Sequence, residues 1–390
     1  EIRCISRAMN QIDTSGRPSL QAVPADSALP GLLARLPDWM QPYAMLARLD
    51  RPVGIWLLYL PCLIGLAFVR MRTGLYLVDL FWVPLFLLGA VAMRGAGCTW
   101  NDITDKDFDA QVARTALRPL PSGAVTLREA FTFLGVQLAV GLAVWACLPG
   151  DAKLVALCAL PLVAAYPFMK RVTWWPQAWL GLTLNWGILV GAATAGSLSV
   201  PVFILYAGLV LWTIAYDTIY ALQDREDDAL IGVQSTARLF GKRAVLASFC
   251  FHMGAAALVA LAAVLNGSVR AGAVTALAFF AHGVWQVVRL KSSQEQDALG
   301  VFKSNVWAGA ILAGGFLLAA MVPTPEPRSL FAEHETVPVG PSETLALPFG
   351  LELKREHQIS RAETWMASDV LRALEKENVP VPEPDAPTPE

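Results

Sequence analysis

Nine apolar stretches, each 18 to 22 residues long, govern what this chain can fold into. They run over 52–69, 77–95, 129–148, 152–169, 177–196, 201–220, 244–265, 271–290 and 304–322. A helix rises 1.5 Å per residue, so about 20 apolar residues cross a hydrocarbon core about 30 Å thick. The charges in or beside these stretches, Asp79, Arg94, Glu129, Asp217 and Arg289, fall near their ends. Snorkelling or an aqueous cavity accommodates them there. No alternating ten-residue pattern of a barrel is present, and backbone facing lipid must satisfy its own hydrogen bonds. The expectation is an all-α polytopic membrane protein with nine transmembrane helices.

Composition agrees. Of the 390 residues, 55% are hydrophobic and only 16% charged, against about 25% charged in soluble domains. A net charge of -2 with no basic, aromatic-interleaved stripe argues against nucleic acid as a partner. Six cysteines without a CxxC pair, and four histidines without an HxxxH or HExxH box, read as packing or solvated residues.

Lysine and arginine placement tests the span count. With the N-terminus on the cytoplasmic side, sixteen cations from Arg48 to Lys303 collect on inner loops and helix ends, and four (Arg70, Arg72, Lys153, Arg270) on outer ones. One missed or invented span would invert every later loop and destroy this bias.

Two inner loops, 96–128 and 221–243, are long, and long loops tend to carry function. Of the 14 acids between residues 51 and 322, eight cluster near the starts of these loops: Asp102, Asp105, Asp107, Asp109, then Asp217, Asp224, Asp227, Asp228. At about 100° per residue, Asn101, Asp102, Asp105 and Asp109 share an arc of roughly 100°, with Asp107 turned away. Asp217, Asp224 and Asp228 share an arc of roughly 40°, with Tyr220 and Asp227 beside it. Four spans separate the clusters, which puts both on one membrane face. Facing carboxylates repel unless a cation joins them. Mg²⁺ binds through a few carboxylates plus phosphate oxygens, so the pattern points to a Mg²⁺-diphosphate site. Arg114 and Arg118, one helical turn apart before Pro119-Leu-Pro121, and Lys170-Arg171 are cations on the same face. Arg118 and Lys170 are the preferred counter-charges for a departing diphosphate.

The flanks read differently. Residues 1–40 form a polar N-terminal segment without an apolar signal core, and Met9 is a candidate start. Residues 323–390 carry a net charge of -7 and end in VPVPEPDAPTPE, which reads as a mostly disordered tail with one amphipathic helix over 360–378.

The segments GCTWNDITDKDFDAQVARTALRPLPSG (97–123) and YDTIYALQDREDDALIGVQSTARLFG (216–241) resemble the paired signatures of the UbiA superfamily of intramembrane prenyltransferases. RLDRPVGIWLLYLPCLIGL (48–66) and YPFMKRVTWWPQ (166–177) add to the likeness, which covers residues 41–322 and is greatest to the branch that acts on 4-hydroxybenzoate. The resemblance implies a bundle around a central cavity capped by the two inner loops. It implies Mg²⁺ as cofactor, polyprenyl diphosphate and 4-hydroxybenzoate as substrates, and the bilayer as partner. Asn101, Asp102, Asp105, Asp109, Asp224 and Asp228 would serve the metal. Asp105, Asp109, Asp217, Asp224 and Asp228 would be catalytic. Asn101, Arg51, Arg114, Arg118, Lys170, Arg171 and Tyr220 would bind substrate, Lys170 and Arg171 taking either the diphosphate or the aromatic carboxylate.

The implied chemistry is ionisation of the allylic diphosphate, capture of the cation by the ring carbon beside the phenol, and loss of a proton. Rings such as Trp100, Tyr216 and Tyr220 would stabilise the cation through their π faces. The implied location is a bacterial inner membrane with cytoplasmic site loops, or the mitochondrial inner membrane in a eukaryote. Competing readings are a relative with another aromatic acceptor, an ion-coupled secondary transporter, which calls for ionisable groups near the bilayer midplane, and a membrane scaffold.

Overall fold

The computed structural model describes residues 33, 35–110, 115–223, 225, 232–293, 296–321, 345–346 and 352–353. The polar segment over 1–31 and the amphipathic helix expected over 360–378 lie outside them. The chain divides into two compact units, Glu1–Pro327 and Arg328–Glu390. In the second, strands β1 (Leu345–Ala346) and β2 (Glu352–Leu353) pair antiparallel, with Leu345 opposite Leu353.

The first unit is helical in its described residues. A short helix α1 (Gln41–Leu46) precedes α2 (Val53–Thr73), α3 (Asp79–Asp109), α4 (Leu127–Cys147), α5 (Gly150–Cys158), α6 (Leu160–Val172), α7 (Pro176–Thr194) and α8 (Val200–Tyr220). After the five-residue α9 (Thr236–Phe240) come α10 (Ala244–Leu265), α11 (Val269–Ser292) and α12 (Ala298–Met321). Counting α5 and α6 as one broken rod, the long helices match the nine expected spans in order. Eight of them are long and apolar enough to cross a membrane. The other, α7, is diluted by Gln177 and Asn185 and packs inside the bundle, where Asn185 donates to the Leu209 carbonyl at 3.0 Å and to Thr213 Oγ1 at 2.7 Å.

Apolar side chains such as Leu142, Leu246 and Leu277 point outward, as lipid requires, and the core is built from fewer, larger contacts. Trp212, fully buried, donates its indole N–H to Asn305 at 2.9 Å and meets Tyr216 and Phe279 edge-on. Helices α2 and α7 approach most closely through the Gly187-x-x-x-Gly191 pair. A Cβ at Gly191 would lie 2.0 Å from the Cys62 carbonyl oxygen, so only glycine permits this crossing. Cys147, Cys158 and Cys250, expected as small packing residues, are exposed on the outside of the bundle, because their helices turn those positions to the lipid side.

Two departures shape the site. Helix α3 does not stop where its apolar run ends near residue 95. It continues to Asp109, 31 residues in all or about 46 Å, so about two fifths of the expected inner loop is helix, extending beyond the length a hydrocarbon core about 30 Å thick requires. Conversely, α8 ends at Tyr220 in a turn over 221–223. The arc drawn for Asp217, Asp224 and Asp228 treated them as one helix; Asp217 lies in α8, whereas Asp224 and Asp228 fall outside the described residues. At the outer ends of α2 and α3, Arg70 grips Asp79 through two bonds of 2.8 Å, and Asp79 also accepts from the Tyr76 amide.

Candidate active site

The inner end of α3 turns its acids toward surrounding cations in a fixed order. Asp102, fully buried, accepts from Arg48 Nη2 through both oxygens, at 2.7 and 3.0 Å. Asp105, also fully buried, holds Lys170 Nζ at 2.5 Å, Arg171 Nη2 at 2.7 Å and Asn101 Nδ2 at 3.2 Å. Asp109 holds Arg118 Nη1 at 2.6 Å, and the same nitrogen lies 3.5 Å from Asp102. Asp107, turned away as expected, is exposed.

Local structure explains each placement. Arg48 sits in the bend between α1 and α2 with φ of 57°, the one non-glycine residue in the left-handed region among those described. Such a conformation costs about 1–2 kcal/mol. The bend is pinned because Leu46 packs with Leu120, Val125 and Ala130 under the loop after α3, and Tyr43 meets Phe133 edge-on. Burial works against the charge of Arg48, yet Asp102, with weaker help from other acids, offsets it and holds the guanidinium protonated above its ordinary range. Arg118 is presented by a tight loop containing Pro119 and Pro121, in which the Ser122 amide donates to the Arg118 carbonyl at 3.0 Å. Thr126 and Glu129 then form a reciprocal cap that starts α4. Lys170 and Arg171 close the last turn of α6, where cations suit the helix C-terminus.

Two cavities meet at this end of the bundle. The first, about 390 Å³, is lined by six cations (Arg48, Arg51, Arg94, Arg118, Lys170, Lys303), two acids (Asp109, Asp217), Asn101, and the rings of Tyr166, Tyr216, Tyr220 and Phe302. This excess of positive charge beside aromatic walls suits an anion carrying an apolar group. The second, about 430 Å³, runs along α3 between α4, α6 and α7, and its further walls are mostly apolar, with Phe86, Ala90, Leu148 and Trp186 among them. Arg48, Arg94, Asn101, Arg118, Tyr166 and Tyr220 belong to both linings, so polar and apolar chambers share a wall.

Most of the expected residues meet here: Asn101, Asp105, Asp109, Arg51, Arg118, Lys170, Arg171, Asp217 and Tyr220. Asp102 borders the second cavity but is buried, with both oxygens engaged by Arg48. Arg114, Asp224 and Asp228 lie outside the described residues. Trp100 lines neither cavity and donates its indole N–H to the Ala164 carbonyl at 3.1 Å. The sequence did not single out Arg94 as a site residue, placing it near a span end where snorkelling or an aqueous cavity would accommodate it, yet Arg94 lines both cavities. Because α3 continues to Asp109, Arg94 lies mid-helix, and its buried Nε has no hydrogen-bond partner among the described residues. An ionisable residue inside a span was the signal available.

No group of three or more metal-ligating side chains is assembled among the described residues. The donors present nonetheless fit a hard cation: Asn101 and Asp109 face the cavity, and Asp105 lies directly behind Lys170. Oxygen ligands flanked by phosphate-matching cations are the setting in which Mg²⁺ is held together with a phosphate.

The fold and the site together define a multi-helix intramembrane enzyme in which a cation-rich chamber and a mostly apolar one share a wall. Residues 58–321 match the UbiA prenyltransferase family, and the chain belongs to that family. It is 44% identical over 290 residues to the mitochondrial 4-hydroxybenzoate polyprenyltransferase of Homo sapiens, covering 72% of this chain and 76% of that one. To the corresponding protein of Mus musculus it is 41% identical over 312 residues, covering 79% and 82%. Among solved structures, a UbiA homolog from Aeropyrum pernix K1 superposes with a TM-score of 0.58 at 28% identity, covering 67% of this chain and 97% of that one. A homolog from Archaeoglobus fulgidus bound to GPP and Mg²⁺ shares the fold, with a TM-score of 0.56 at 19% identity over 72% of this chain and 99% of that one.

Proposed function

We propose that the protein transfers a polyprenyl group from polyprenyl diphosphate to 4-hydroxybenzoate, at the ring carbon beside the hydroxyl, releasing 3-polyprenyl-4-hydroxybenzoate and diphosphate in ubiquinone biosynthesis. The observation that carries this reading is the shared wall, where a cation-rich chamber opens onto an apolar one beside three buried aspartates. The names of the relatives support the same donor and acceptor.

Asn101, Asp105 and Asp109, with Asp224 and Asp228 from the second motif, would hold Mg²⁺. The metal supplies charge neutralisation on the diphosphate as the allylic C–O bond breaks. Arg118, Lys170 and Arg171 bind the diphosphate oxygens, with Arg48 and Arg51 nearby in the same cavity, and Arg114, outside the described residues, would add to them. Their charge matters most as negative charge builds on the leaving group. Asp102 serves by anchoring Arg48 and Arg118. The allylic cation left behind faces Tyr166, Tyr216 and Tyr220, whose rings attract positive charge and exclude water. Arg94 pairs with the acceptor's carboxylate, and Asp217 in the same chamber takes the hydrogen bond of its hydroxyl. The ring carbon then bonds to the allylic carbon, and that ring carbon's own proton passes to the released diphosphate and from there to solvent, restoring aromaticity.

The site lies on the cytoplasmic face of a bacterial inner membrane, or on the matrix face in mitochondria, as the cation bias of the loops supports. Incubating membranes that carry the protein with labelled 4-hydroxybenzoate, a polyprenyl diphosphate and Mg²⁺ tests the reading. A labelled lipid product that EDTA removes and Mg²⁺ restores is expected. No product, or product indifferent to EDTA, overturns it.

A further inference from the structure

Helix α3 carries more than the acids. Phe86, Ala90, Met93, Gly97 and Asn101 recur every three or four residues, which puts them on one face, and all five line the second cavity. Asp105 and Asp109 continue that face inward. One side of one helix therefore bears the head-group residues at its inner end and an apolar stripe behind them. A Cβ at Gly97 would meet nothing within 4 Å, so packing does not demand glycine there, although glycine is unfavourable inside a helix. The space beside Gly97 belongs to the cavity. At the far end Phe86 and Leu148 are buried, and Trp82 stacks behind Phe86.

We infer that this face measures the donor tail, with Ala90 as the position that separates short tails from long ones and Phe86 as the outer wall. The inference rests on the reading above, in which the donor's diphosphate is bound at the inner end of this face, where Asn101 would help hold Mg²⁺. Ala90 is eleven residues before Asn101, about 16 Å along the axis, and Phe86 is fifteen, about 22 Å. Four chain bonds of roughly 1.5 Å advance an extended isoprene unit by roughly 5 Å. Ala90 then lies beside the third or fourth unit and Phe86 beside the fourth or fifth. A tail of one or two units never reaches either.

The test uses the full-length protein in nanodiscs with 4-hydroxybenzoate, Mg²⁺ and all-trans donors of two, three, four, five and eight units. For Ala90→Phe, kcat/KM with the two-unit donor stays within about twofold of the unsubstituted protein and falls at least about tenfold with four units or more, the penalty of overfilling a packed space. Phe86→Leu acts oppositely, raising the five-unit to two-unit ratio about threefold. Each variant is compared with itself across donors, so a change in folded fraction cancels, and if one does not fold the other's ratio decides. An Ala90→Phe profile parallel to that of the unsubstituted protein, or a uniform loss at every length, overturns the inference. It would mean that the tail leaves by another route. Product from no donor at all, even with the unsubstituted protein, overturns instead the reading on which the inference rests.

Discussion

Arg48 and Asp102 are joined by two short bonds from a single guanidinium nitrogen, which ties the bend before the first spanning helix to the interior of the second. The pair is enclosed, the arginine 12% and the aspartate 0% exposed at the side chain. Removing one partner of a buried pair costs roughly 3–5 kcal/mol, because the other is left charged and alone. Asp102→Ala is therefore expected to lower the Tm of the protein in detergent markedly. In Asp102→Asn, the Mg²⁺ concentration giving half-maximal rate is expected to stay unchanged while KM for the donor rises, since Arg48 and Arg118 lose their anchor. A shifted Mg²⁺ requirement would return Asp102 to the metal ligands.

Asp105 and Asp109 have the opposite signature. Asp105→Ala and Asp109→Ala are each expected to lower kcat by about 10²–10³-fold, the effect of deleting one charge-organising group from a transition state. The Mg²⁺ requirement should rise in parallel. Rate against Mg²⁺ concentration, with insertion checked by fluorescence-detected chromatography, measures both.

Arg94 is expected to act on the acceptor alone. A charge-assisted bond contributes about 1.5–3 kcal/mol, so Arg94→Ala should raise KM for 4-hydroxybenzoate by about tenfold or more while KM for the donor stays put. Arg94→Lys should restore part of it. An acceptor lacking the carboxylate should not distinguish Arg94→Ala from the unsubstituted protein, and if it does, the arginine serves the diphosphate.

Arg70 and Asp79 provide a control at the other end of the bundle. Asp79→Ala removes both bonds to Arg70 and the acceptor for the Tyr76 amide. Thermal unfolding should show a loss of roughly 3–5 kcal/mol. Turnover per folded molecule should not change, because neither residue lines a cavity of the site.

Removing residues 328–390 is expected to leave kcat and KM for both substrates within about twofold, a difference below 0.5 kcal/mol. The basis is that the helices and both cavities lie within the unit Glu1–Pro327. Inactivity of the shortened protein would place the tail in the chemistry.

The spans were legible because lipid imposes one requirement, length of apolar run, that a sequence displays directly. The acids of α3 were legible because helical periodicity held through them. Arg94 was legible only as a span-end residue beside lipid or a cavity, because hydropathy marks where an apolar run stops and not where a helix ends, and α3 ends 15 residues after that arginine. Helical periodicity reached only Asp217 in the second cluster, because α8 ends three residues later, and neither composition nor charge announces that end. Arg48 carried no local signal. Its role comes from a left-handed backbone and a partner 54 residues away, both products of packing. The break between α5 and α6 falls two residues before Pro161, a signal present in the sequence, though its effect, small residues Ala156 and Ala159 facing the apolar cavity, required the fold.

Because α3 runs unbroken from Asp79 to Asp109, its two ends are locked in phase. Deleting or inserting a single residue between Ala90 and Asn101 would rotate everything beyond it by about 100°, swinging Asp105 and Asp109 off the wall while Ala90 stayed on it. Side chains along this rod can be exchanged one at a time as lineages adapt to donors of different size, but its residue count cannot drift. Between these two positions the family should vary in composition and stay fixed in length.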